Sequence, residues 1–117
     1  MSQATAIDQE LAAAAVAWRE GNEGKARVCA RRAVALAAES WLAQMATPLW
    51  GGDAMEHLRR IQQQVFFPLL VRQAAERLTT AVTRRHQAPF TSDPIDDATV
   101  IIAYLTADAT DGFRPDG

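Results

Sequence analysis

The chain is expected to be all-α, a single up-and-down antiparallel bundle of about five helices. Three observations lead there. Apolar residues recur at three- and four-residue spacing in five separate stretches, and no stretch sustains two-residue alternation. Gly and Pro fall between these stretches or in their first turns. The 117 residues are enough for one domain with a core of its own, and 49% of them are hydrophobic.

The first helix is expected over about residues 5–20, where Ile7, Leu11, Ala14, Ala15 and Trp18 share a face and Gly21-Asn22 ends it. The second is expected over 23–46. Its face is Ala26, Cys29, Ala30, Ala33, Ala37 and Trp41, and such small side chains let neighbouring axes come close. "TPLWGGD" at 47–53 reads as a loop. Asp53 then caps a third helix over 53–67, with Glu56 at the capping-box position and Met55, Leu58, Ile61 and Val65 as its stripe. Pro68 disfavours helix in the residue before it and suits the first turn of a fourth helix, 68–86, striped by Val71, Ala74, Ala75, Leu78, Ala81 and Val82. "QAPFTSD" is the next loop. Asp93 caps and Pro94 opens the fifth helix, 94–107, with Asp96 and Asp97 placed where the helix dipole favours negative charge. Ile95, Ala98, Ile102 and Leu105 should point inward, and the tail from Asp108 should be loose. No internal repeat is visible, so residues 1–117 read as one domain.

Composition narrows the function classes. The net charge is −2. Residues 1–87 hold 11 Lys/Arg against eight Asp/Glu, +3, whereas residues 88–117 hold one Arg against six Asp, −5. This is not the basic excess of a dedicated nucleic-acid binder. The first 18 residues contain Asp8 and Glu10 and no basic leading segment, and no apolar run is long enough to span a bilayer. The expected compartment is therefore the cytoplasm, with no membrane association. The single cysteine, Cys29, lies in an Ala-rich helical stretch and reads as a small buried side chain.

Two histidines and one cysteine cannot build a Cys/His zinc site, and no paired Glu-x-x-His motifs prepare a di-iron site, so neither metal nor cofactor is expected. "GNEG" at 21–24 is a helix junction rather than a phosphate loop, although Asn22 and Lys25 open a helix where an anion could rest. The arginines offer more. Arg27 and Arg31, four apart, form a cationic strip suited to meeting the acidic C-terminal third, within one chain or across a dimer. Arg84, Arg85 and His86 end the fourth helix. The helix dipole alone accounts for cations there, and a phosphate or nucleic-acid contact with His86 as proton carrier is the functional alternative. Trp41 and Trp50 flank the loop after the second helix, where aromatics either close the end of the bundle or serve a partner subunit, and the dimer interface is the reading adopted.

The stretch "WREGNEGKARVCARRAVALAAESWL" resembles the first-loop and second-helix region of HEPN-type helical domains. "HLRRIQQQV", "VRQAAERLTTAVTRRH" and "DPIDDATVIIAYL" resemble the family's third, fourth and last helices, so the likeness covers about residues 5–107. The resemblance implies a bundle that usually dimerises, in a family of RNA-cleaving toxins, partners of small nucleotidyltransferases and nucleotide-binding modules. Its ribonuclease members carry an Arg, four to six residues, then a His on a late helix. Here eight residues separate Arg77 from His86, and Arg84 and Arg85 stand beside it. The resemblance therefore implies a non-catalytic module that binds a partner protein or nucleotide as a homodimer. The enzyme alternative is a divergent ribonuclease using His86 with Arg77 or Arg84. "GNEGKARVCARRAVALA" also resembles the second helix of a tetratricopeptide unit, a further alternative, though no 34-residue echo accompanies it.

Overall fold

A computed structural model describes residues 3–45, 53–79 and 93–111. These form five helices and no strand: α1 (Gln3–Arg19), α2 (Glu23–Met45), α3 (Ala54–Gln63), α4 (Leu69–Thr79) and α5 (Pro94–Asp111). Each helix packs on the next in the chain, and α5 closes the bundle by lying against α2 and touching α1. The chain is thus an all-α helical bundle. Among the described residues, no helix is long and apolar enough to cross a membrane.

The α1–α2 reversal is written in two residues. Gly21 adopts φ 79°, the left-handed conformation that favours glycine. Its amide donates to the Trp18 carbonyl at 3.1 Å, and the Asn22 amide reaches the Ala17 carbonyl at 2.8 Å, which closes the last turn of α1. The Asn22 side chain then accepts from the Lys25 amide at 3.1 Å, so the next residue starts α2. Asp53 accepts from the Glu56 amide at 3.1 Å at the start of α3. Asp93 accepts from the amides of Ile95 and Asp96 at 2.9 and 3.2 Å at the start of α5.

The core is built on α2. Ala26, Ala30, Ala33, Val34 and Ala38 are wholly inaccessible, and α1, α3 and α5 all press on this helix. A helix with so little side-chain bulk can be buried on several sides because its neighbours approach the backbone closely. Leu58, Ile61, Phe67, Leu78, Ile101 and Leu105 supply the volume that the alanines lack.

Three boundaries differ from the sequence expectation. Helix α3 ends at Gln63, not Phe67: Gln64 turns extended (φ −92°, ψ 114°), and the Phe67 amide bonds back to the Gln64 carbonyl at 3.1 Å. Val65 consequently leaves the apolar stripe and stands in solvent. Pro68 sits just before α4, where its carbonyl accepts from the amides of Val71 and Arg72. Helix α5 runs to Asp111, so residues 108–111 of the expected loose tail are helical. No Gly or Pro interrupts the sequence there before Gly112. The expected continuation of the fourth helix through residues 80–86 lies outside the described residues.

Candidate functional site

Three places on the bundle bring together side chains of functional interest. The first is a cationic node where α2, α4 and α5 meet. Arg27 is only 1% exposed, although it sits one turn into α2. Its Nη2 donates to the carbonyls of Arg77 and Leu78 at 3.4 and 3.3 Å, and its Nε has no hydrogen-bond partner. One turn further, Arg31 Nε donates to the same Leu78 carbonyl at 2.9 Å. Both guanidinium groups thus bind backbone carbonyls of the last described turn of α4. Burial lowers the Arg27 pKa, with the Arg31 charge adding to the effect and the charges of Glu23 and Asp97 opposing it. Burial also lowers that of Arg31.

Arg77 completes the node. Its Nε and Nη2 donate to Asp97 Oδ1 at 3.0 and 2.8 Å, and this hydrogen bond is the main reason its pKa is raised. The Asp97 side chain is 9% exposed against 35% for Arg77, and its Oδ2 has no hydrogen-bond partner. Among the described residues, the link between the basic body of the chain and its acidic last third is made by Arg77 and Asp97, with Arg27 close enough to feel the same carboxylate. The sequence reading gives Asp97 a place in the first turn of α5, where the dipole favours negative charge, and the structure adds that it is buried and paired. Its signal was in the register: Asp97 shares a face with Ile101 and Leu105, and a carboxylate on a core stripe demands a cation.

The second place is an open cleft of about 260 Å³ between α2 and the start of α3, lined by Val28, Arg31, Arg32, Asp53, Ala54 and Met55. Arg32 is exposed there, and Arg31 reaches it from the node.

The third is the corner between α3 and α4, "VFFPLL" at residues 65–70. Phe67 goes inward, 1% exposed, while Val65, Phe66, Leu69 and Leu70 face outward at 83, 57, 57 and 72%. The Phe66 ring lies 4.6 Å from Phe67 and 6.3 Å from Trp41, stacked on the latter with 27° between planes. Phe67 in turn meets Trp41 at 5.5 Å and the edge of Tyr104 at 5.6 Å. Trp41, expected at a dimer interface, is 7% exposed and backs this aromatic stack. The outward corner went unrecognised because helical periodicity extended α3 across it.

One further side chain, adjacent to Glu56 and not expected to ligate a metal, is buried. His57 lies on α3 with its Nε2 3.8 Å from the exposed Glu39 carboxylate of α2. Arg84, Arg85, His86 and Trp50 lie outside the described residues, so the node includes Arg27, Arg31 and Arg77 of the expected site. No family model, no curated protein and no solved structure matches this chain.

Proposed function

We propose that this chain is a non-catalytic, HEPN-like helical module that acts by binding, works as a homodimer, and takes a partner protein or a nucleotide. A small nucleotidyltransferase is the kind of protein partner the resemblance implies. The observation that carries the reading is the double hydrogen bond from Arg77 to the buried Asp97 carboxylate. A ribonuclease using Arg77 with His86 needs a guanidinium free to meet a phosphate, and this half-buried one is already paired with the Asp97 carboxylate. Arg27 and Arg31 are likewise turned onto α4 carbonyls and support the fold. The nucleotide part of the proposal rests on the cleft beside α3, where the Arg32 charge faces solvent and an anionic group has room.

The test is to incubate the purified chain with single-stranded and structured RNA, alongside His86→Ala, and to titrate it with ATP followed by calorimetry. Intact RNA throughout, with ATP binding that weakens in Arg32→Glu, is the expected result. RNA cleavage that disappears in His86→Ala would overturn the non-catalytic reading.

A further inference from the structure

The α3–α4 corner departs from what a solitary bundle would do. Six consecutive apolar residues occupy 65–70, yet the turn at Gln64–Pro68 sends only Phe67 into the core. Four large apolar side chains are left side by side in water. Burying apolar surface is favourable in proportion to the area taken from water, so the outward arrangement leaves stabilisation unused within one chain.

Area says what kind of cover would realise it. At their observed exposures, Val65, Phe66, Leu69 and Leu70 together offer roughly 400–500 Å² of apolar surface. A standard-size interface takes about 800 Å² from each partner, of which about 56–65% is apolar. The patch thus supplies the apolar share of one half of such an interface. Charge argues for what covers it. Gln62, Gln63 and Gln64 precede the corner and Gln73 follows it, all neutral; the half-buried Arg72 is the charge nearest in sequence, and its Nε is turned back onto the Phe67 carbonyl at 3.0 Å. A two-fold axis sets a surface against itself, so charges on such a surface would repel their own copies. A rim of glutamines with one cation, held against its own backbone, keeps that penalty small and offers little charge pattern for a different partner to read. Rigidity adds to it: Phe66 is held by Trp41 and Phe67, so an aromatic anchor is already in place before contact and little side-chain freedom is lost.

We infer that the corner at residues 65–70 is an isologous interface with a second copy of this chain, with Phe66 and Leu70 packing against the same residues of the partner. This rests on the homodimer proposed above and names its surface. Trp41 contributes from behind, as the support of Phe66 rather than as a contact.

Sedimentation velocity of the full chain from about 1 to 100 µM tests it, on wild type, on Phe66→Glu/Leu70→Glu, and on Val16→Glu as an exposed control on α1. The wild type and the control should be dimers, and the double variant should dissociate with an affinity loss of about 100-fold or more while its helical circular dichroism is unchanged. Should the double variant fold poorly, Leu70→Cys serves instead: mild oxidation should link two chains, since Cys29 is buried. A wild-type dimer that survives the double substitution, or that gives no crosslink through position 70, overturns the assignment of this surface and leaves the homodimer standing elsewhere. A monomeric wild type overturns both. Co-sedimentation of that monomer with phosphatidylcholine vesicles, lost in the double variant, would assign the corner to a lipid surface and likewise overturn the proposal.

Discussion

Replacing Arg77 by Met should destabilise the bundle more than replacing Asp97 by Asn, and the inequality comes from exposure. In Arg77→Met the Asp97 Oδ1 loses donors at 3.0 and 2.8 Å, and Oδ2 already has none. The carboxylate side chain is 9% exposed, so water cannot replace what is lost. Removing one member of a fully buried pair costs about 3–5 kcal/mol. Arg77 is 35% exposed, which discounts the pair's worth through solvent screening, and the nearby Arg27 charge offsets part of the remainder. About 2–3 kcal/mol is the expected loss in Arg77→Met. In Asp97→Asn the orphaned guanidinium can turn to solvent and the amide oxygen still accepts, so about 1 kcal/mol is expected. Urea unfolding followed by far-ultraviolet circular dichroism, on both single variants and the double, measures this as a double-mutant cycle. At about 3–5 °C per kcal/mol for a chain of this size, Arg77→Met should melt roughly 10 °C below wild type. A coupling energy under about 0.3 kcal/mol, or Asp97→Asn as the more damaging change, would refute the claim that this pair holds α4 to α5.

Two further substitutions probe the backbone and the core. Gly21→Ala places a side chain in open space, with nothing within 4 Å of its Cβ, but forces an L-residue to φ 79°. Thermal denaturation should show a loss of about 1–2 kcal/mol, and Gly21→Asn should recover part of it. Ala33→Leu puts three extra carbons where α2 has no accessible surface and should cost about 1–3 kcal/mol in chemical denaturation. The same change at the exposed Ala12 should stay within about 0.5 kcal/mol.

The local chemistry of the chain was legible from its residues alone. The Gly-Asn reversal, the Asp53 and Asp93 caps, the Ala-rich face of α2 and the all-α class each depend on neighbours three or four positions apart, and the amino acids themselves specify them. Tertiary structure decided the rest. Whether Arg27 is a surface cation or a buried brace depends on the last described turn of α4 coming within reach of its side chain, a contact spanning 50 positions. Asp97 became a core ion-pair partner because α5 turns that face toward Arg77, 20 residues earlier. The periodicity that carried α3 past Gln64 had no term for the turn that seats Phe67 against Trp41 and Tyr104 and leaves its four neighbours outside. Periodicity reports which side of a helix is apolar. What that side meets, and which charges are drawn in with it, is fixed by the free energy of packing the helices together, and no single stretch of sequence contains that quantity.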